Sequence, residues 1–195
     1  MQKRPLLLAF LIIIILVLCS CGIDNTLSKE DIFLLVKNNT KLLDKAVDEM
    51  QKLDSNVNYI STTNKDKLNN SEDSNINGLY QSGMQSGKYI TKQLKNDVLL
   101  SVIKLNGLNS IYIDDNKKYI EFSCGGSGFG PSTSYSGFYY SANGEQNSLN
   151  SHFLLCTEND LIPEGNGWIY KQKGGDNSYY TEKISANFFY YEASF

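Results

Sequence analysis

The stretch Leu108-Asn-Ser-Ile-Tyr-Ile-Asp-Asp-Asn-Lys-Lys-Tyr-Ile-Glu-Phe-Ser-Cys124 contains two runs in which apolar and polar residues alternate. The alternating apolar positions are Ile111, Ile113, Ile120, Phe122 and Cys124. Successive side chains of a strand point to opposite faces, so each run is typical of a half-buried strand. Asp115-Asn116 supplies turn residues between the two runs. The stretch therefore predicts an antiparallel β-hairpin.

Further short strands are predicted downstream of this hairpin. They are residues 137–141, 152–156, 168–172 and 179–195. Turn dipeptides such as Asn143-Gly144 and Gly174-Gly175 separate them. Short turns join strands that pair antiparallel, so the second half of the chain predicts a β-meander.

The glycine-rich segment Gly125–Ser134 is predicted to be a sharply bent connection between strands. A phosphate-binding P-loop ends in Gly-Lys-Ser/Thr, and this segment contains no lysine. A dinucleotide-binding loop opens a helix, whereas strand residues follow here. The glycines let one backbone approach another backbone or a ligand closely.

Two helices are predicted upstream of the hairpin. Ser28-Lys-Glu-Asp31 reads as a capping box, and an apolar stripe of roughly 25 residues follows it. A second helix is predicted over Thr91–Leu105, with Asn106-Gly107 as its C-cap. Residues 54–77 are poor in apolar side chains and predict a polar loop.

The order of these elements predicts an α+β fold. A long N-terminal amphipathic helix and a second helix are expected to pack on an antiparallel β-meander of about five strands. The expected organisation is a signal peptide over 1–20, a tether over 21–27 and one globular domain over 28–195.

The first residues indicate export. Lys3 and Arg4 precede the apolar run Leu6–Leu18, which is thirteen residues long. A membrane-spanning helix needs about 20 apolar residues, so this run fits the apolar region of a secretory signal better than a spanning helix. An uncleaved anchor helix is the alternative, and it implies nearly the same location.

The run ends in Leu18-Cys19-Ser20-Cys21, which resembles the lipobox of bacterial lipoproteins. Cysteine is less usual than alanine or serine at the second place of that motif. The resemblance implies cleavage before Cys21, diacylation of its sulfur and a position on the extracytoplasmic face of the cell membrane. Cleavage before Cys19 would put Leu18 at the cut, where the motif requires a small residue. Two acyl chains suffice for stable anchoring.

The net charge of −3 and the absence of a basic block after the first residues exclude the electrostatic pattern of nucleic-acid binding. Outside the signal only Cys124 and Cys156 remain, and they either form a disulfide or stay as two buried thiols. No pair of closely spaced cysteines or histidines predicts a metal site. No cofactor is predicted.

His152 is the single histidine, so any Ser–His or Cys–His catalysis would have to use it. Cys124 precedes two glycines but no motif places it near His152. Glycoside cleavage would need two facing carboxylates, and their spacing does not follow from sequence. The candidates are Glu121, Glu145, Glu158, Asp160, Glu164 and Glu182.

Aromatic residues are the strongest remaining signal, because they lie on or beside the predicted strands. Alternation sends half of them to the core and half to the outer face. Outer rings either pack beneath the helix and loops or form a surface for a partner protein, a peptide or a glycan. The residues selected for that surface are Tyr135, Tyr139, Trp168 and Tyr179.

The second half of the chain also resembles a group of small lipoproteins of Gram-positive gut bacteria that have no assigned activity. The stretches that carry this resemblance are 119–126, 131–135, 137–141, 167–168, 174–180 and 190–193. It supports the predicted location and implies no catalytic residue.

The sequence therefore predicts a lipid-anchored extracytoplasmic protein of unknown molecular activity, most simply a non-catalytic binding domain at the cell envelope. The alternative is an extracellular hydrolase built on His152 or a carboxylate pair. A third hypothesis is a spacer or assembly subunit that uses the first helix.

Overall fold

The computed structural model describes residues 27–62, 78–129, 132–147 and 156–195. In these residues two helices accompany one antiparallel sheet of ten strands. The helices are α1 (Lys29–Lys52) and α2 (Asp97–Ile103). The strands are β1 (Tyr59–Ser61), β2 (Leu79–Gln85), β3 (Lys88–Leu94), β4 (Ser110–Ile113), β5 (Tyr119–Phe129), β6 (Ser132–Ser141), β7 (Ile162–Glu164), β8 (Gly167–Lys171), β9 (Ser178–Lys183) and β10 (Phe188–Ser194). A 3₁₀ turn, Glu158–Asp160, precedes β7.

The strand order is β3-β2-β1-β4-β5-β6-β10-β9-β8-β7. Most neighbours are consecutive in the chain, but β10 lies between β6 and β9 in the middle of the sheet. The predicted fold class, an α+β meander of about five strands, is therefore wrong. Strands dominate the structure, and the sheet has ten of them.

Two of the missed strands lie in segments predicted to form other structure. Thr91–Leu94, predicted to begin a helix, lies in β3, and β1 lies within the predicted polar loop. Ser86 and Gly87 have φ of 51° and 76°, as the tight two-residue turn of a β-hairpin requires. That turn joins β2 to β3, and β3 continues to Leu94. Helix α2 therefore begins only at Asp97.

Most of the glycine-rich segment is strand rather than connection. β5 continues as far as Phe129 and β6 begins at Ser132, and the two strands pair up to these residues. The register shifts between Ser123 and Gly125, which is a β-bulge at the start of the glycines. The predicted strand over 152–156 lies almost wholly outside the described residues.

Helix α1 is fixed at both ends. The Ser28 hydroxyl accepts a hydrogen bond from Asp31 N–H at 3.1 Å, so the predicted N-cap is confirmed. At the other end the Lys117 ammonium donates to the carbonyls of Gln51 and Leu53. A cation at the carbonyl end of a helix is favourable, because the helix dipole is negative there.

The sheet has two different faces. Paired residues of neighbouring strands share a face, so Ile111, Phe122 and Phe138 lie on one side, which we call the helix face. Helices α1 and α2 pack on it and form the main core. The opposite side, which we call the tyrosine face, contains the register line Glu121, Tyr139 and Phe189.

Candidate functional site

The tyrosine face carries a second buried cluster. Its buried members are Tyr119, Tyr139, Cys156, Leu161, Tyr179, Phe189, Tyr191 and Ala193. Cys156 and Leu161 belong to the segment around the 3₁₀ turn, which covers this part of the sheet. Tyr139 stacks on Phe189 with the ring centroids 5.2 Å apart. The face is therefore a closed aromatic layer over its central rows.

Hydrogen bonds connect the tyrosine hydroxyls of this face to β9 and to Asn147. Tyr139 shares a 2.8 Å hydrogen bond with the Thr181 hydroxyl and accepts from Asn147 N–H at 2.9 Å. Tyr179 donates to the Asn147 carbonyl at 3.0 Å. Burial raises the pKa of Tyr139 to about 12, so it stays protonated at neutral pH. These hydroxyls fasten Asn147, which follows β6, to the sheet.

A carboxyl group lies inside this layer. The Tyr191 hydroxyl donates to Glu121 Oε1 at 2.6 Å. Burial raises the pKa of Glu121, although the hydrogen bond from Tyr191 partly offsets that effect. Tyr119, which is 3% exposed, also lies beside Glu121 and acts with Tyr191 to lower the pKa of that carboxyl. The sequence did not identify the Glu121–Tyr191 pair, because no residue pattern in β5 indicates that the tyrosine face is covered.

Glycines make room for the tyrosine rings. A Cβ at Gly137 would lie 2.9 Å from the ring of its cross-strand partner Tyr191. A Cβ at Gly126 would lie 2.7 Å from the ring of its own partner Tyr135. Each ring thus lies over a glycine of the next strand, which explains part of the glycine content that suggested a loop.

The four aromatic residues selected from the sequence lie on the same face of the sheet but differ in exposure. Tyr139 and Tyr179 are completely buried. Trp168 is partly exposed, and Tyr135 is 43% exposed. The Tyr135 ring lies 5.9 Å from that of Phe195. Only Tyr135 and Trp168 can therefore touch another molecule directly, while the two buried rings support them.

The two cysteines lie in different clusters, and both thiols are free. Cys124 belongs to the core of the helix face and Cys156 to the cluster of the tyrosine face. Burial raises the pKa of Cys124 to about 12 and that of Cys156 to about 11. Both side chains are therefore protonated at neutral pH and poor nucleophiles.

The structure separates most residues considered for hydrolysis. His152 lies outside the described residues. Glu121 is on the tyrosine face, whereas Glu182 pairs with Tyr190 on the helix face, so these two carboxylates do not face each other. The remaining candidates are exposed, namely Glu145, Glu158, Asp160 and Glu164.

Glu182 belongs to a polar group under the start of α1. It forms an ion pair with Lys29 and accepts a 2.6 Å hydrogen bond from the Tyr180 hydroxyl. The Lys29 ammonium also lies 4.9 Å from the centroid of the Tyr180 ring. Although burial opposes it, the hydrogen bond from Lys29 lowers the pKa of Glu182. The contact joins residues 153 apart in the chain, a separation that sequence patterns do not reveal.

Within the part of the chain that the structure covers, no cluster of three or more histidine, cysteine or acidic side chains is arranged to bind a metal ion. Neither helix in that part is both long and apolar enough to cross a bilayer. Comparisons with protein families, curated proteins and solved structures find no match for this chain.

Proposed function

We propose that this chain is a lipoprotein whose folded part is a non-catalytic binding domain, held on the extracytoplasmic face of the cell membrane by a lipid on Cys21. The lipobox-like ending Leu18–Cys21 supports the anchor. The observation that carries the binding role is the exposure of Tyr135, at 43%, on a face whose other tyrosines are largely buried. Exposed aromatic rings on a rigid support are typical of contact surfaces.

The chemistry of the described side chains favours binding over hydrolysis. Both thiols are protonated and enclosed, and Glu121 is hydrogen-bonded within an aromatic layer. Glu182 is held by Lys29 on the opposite face. Each of these groups has a structural partner or environment that accounts for its position.

The assembly role for the first helix has less support. The apolar stripe of α1 is buried against the sheet and α2, with Ile32, Val36 and Met50 fully enclosed. A helix that has already buried its apolar face has little left for a partner helix.

The anchor is tested by growing cells with a clickable fatty acid and detecting label on the protein. We expect the wild-type chain to be labelled and the Cys21→Ala variant to be unlabelled. Equal labelling of the two chains, or none in the wild type, would exclude the lipid on Cys21.

The binding role is tested by affinity capture of the lipidated protein from its own envelope, comparing wild type with Tyr135→Ser. Met84→Ser is the matched control, because Met84 is 52% exposed on the β2–β3 hairpin far from the tyrosine cluster. A partner retained by the control and lost from Tyr135→Ser supports the proposal. Identical partners for all three chains would contradict the assignment of this surface to a protein or glycan.

A further inference from the structure

We infer that the end of the sheet nearest the tether docks on the bilayer, with the Tyr135 ring at the membrane–water interface. This inference rests on the proposed lipid anchor and names the partner of the Tyr135 surface. The partner is the headgroup region of the membrane that carries the lipid.

The helix contacts show which end of the sheet is nearest the tether. Leu27 packs against Gly107. Two residues further along the chain, Asn109 N–H donates to the carbonyl of Ser123 in β5. At the far end of α1, Gln51 meets Lys117 at the turn where β5 begins. α1 therefore starts towards the end of the sheet where β5 finishes, and it runs back towards the β4–β5 turn.

The chain length limits how far this end can be from the lipid. Six peptide steps separate Cys21 from Leu27. A fully extended chain advances about 3.5 Å per residue, so the span is at most about 21 Å. Less extended conformations bring the domain closer still. Any surface near Leu27 is thus held at high effective concentration beside the bilayer, and a weak contact suffices for docking.

Aromatic residues lie at the same end of the tyrosine face, where the β8–β9 turn also places Lys173 and Asp176. Phe129 of β5 pairs with Ser132 of β6 there, and β10 ends there. One register line across the tyrosine face runs through Gly126, Tyr135, Ala193, Tyr179 and Tyr170. It contains no Asp, Glu, Lys or Arg. Tyr170 and Phe195 are partly exposed and Tyr135 is more exposed.

This composition fits a lipid interface. Tyrosine is enriched where membranes meet water, because its ring is apolar and its hydroxyl remains hydrated. Docking that depends on rings rather than on lysines should not require anionic lipids. It also needs no specific pocket, which agrees with the open position of Tyr135 over Gly126.

The test uses the full lipidated protein in phosphatidylcholine vesicles whose acyl chains are brominated near the headgroup, since bromine quenches tryptophan fluorescence at short range. Trp168 is the chain's single tryptophan, so Trp168→Phe removes the native tryptophan fluorescence. Tyr135→Trp in that background probes the docking end. Ala186→Trp, in the turn between β9 and β10 at the opposite end, is the matched control.

We expect at least twofold stronger quenching for the probe at position 135 than for the probe at 186, with little change between low and high salt. Equal quenching, or stronger quenching at 186, would overturn the docking while leaving the anchor intact. Wild-type protein that fails to float with vesicles would overturn the anchor and the docking together. Fluorescence at 135 that responds to cell-wall glycan fragments but not to bromolipid would assign the surface to a glycan.

A second measurement avoids substitutions. Wild-type lipoprotein in vesicles that contain a photoactivatable phosphatidylcholine is irradiated, and the lipid-modified peptides are mapped by mass spectrometry. Docking predicts modification around residues 126–135 and not around 184–187. The reverse distribution, or modification spread evenly over the domain, would contradict it.

Discussion

The carboxyl group of Glu121 should make this domain less stable as the pH rises. Burial raises the pKa of Glu121 in the folded chain. In the unfolded chain the carboxyl group is hydrated, and its pKa has the usual value for glutamate. Between the unfolded and the folded pKa the native state therefore binds more protons than the unfolded state. The free energy of unfolding falls with rising pH across that interval, by at most about 1.4 kcal/mol per pH unit for one proton.

Glu121→Gln removes this titration while nearly preserving shape. The amide oxygen can still accept from Tyr191, and the amide nitrogen can donate to the neighbouring Tyr119 hydroxyl. We expect the variant to be at least as stable as wild type at pH 7. We also expect its advantage to shrink as the pH falls, because protonated Glu121 is itself neutral.

A double-mutant cycle with Tyr191→Phe gives the magnitude. Removing a hydrogen bond to a charged acceptor costs about 1.5–3 kcal/mol, whereas removing one to a neutral acceptor costs about 0.5–1.5 kcal/mol. Once the pH is high enough to ionise Glu121 in the folded chain, Tyr191→Phe should thus cost roughly 1 kcal/mol more beside Glu121 than beside Gln. Urea unfolding followed by Trp168 fluorescence between pH 4 and pH 8 measures both effects. An unchanged pH dependence in Glu121→Gln would refute the reasoning.

Three further changes test other parts of the structure. Lys117→Met removes the cation that binds the last carbonyls of α1 and should lower the unfolding free energy by about 1–2 kcal/mol in urea titrations; no change would show that the contact is dispensable. Gly137→Ala places a Cβ 2.3 Å from the Phe122 carbonyl oxygen and should cost more than about 2 kcal/mol, seen as a lower melting temperature by circular dichroism; an unchanged melting temperature would contradict that close approach. Cys124 and Cys156 should resist iodoacetamide at pH 8 in the native state and react after unfolding, as counted by intact mass; rapid native alkylation would show that the thiols are accessible.

Local signals in the sequence predicted some elements well. The hairpin of β4 and β5 followed from alternation at Ile111 and Phe122, and the start of α1 followed from the cap at Ser28. Both signals lie within a few residues of the structure that they specify. Thr91–Leu94 failed because its apolar residues fit a helical stripe, while pairing with β2 through the turn at Ser86 decided the outcome.

The candidate site was harder to predict than the hairpin. Alternation places Tyr135, Tyr139 and Tyr179 on one face, but it does not say which part of that face is covered. The cover depends on Asn147 and Leu161, which approach through tertiary contacts. Glu121 looked like an exposed surface residue for the same reason. Its role depends on Tyr191, 70 residues further along the chain.

The position of β10 has a consequence for how the protein is made. This strand comes last in sequence among the described strands, yet it joins the two parts of the sheet. Until it arrives, β6 and β9 each present an unpaired edge, and such edges invite pairing with other chains. Synthesis or translocation from the N-terminus must therefore leave the sheet open until Phe188–Ser194 has emerged. A chain that stops before Phe188 would lack the strand that joins β6 to β9. We expect its exposed strand edges to be bound by chaperones or cleaved by proteases.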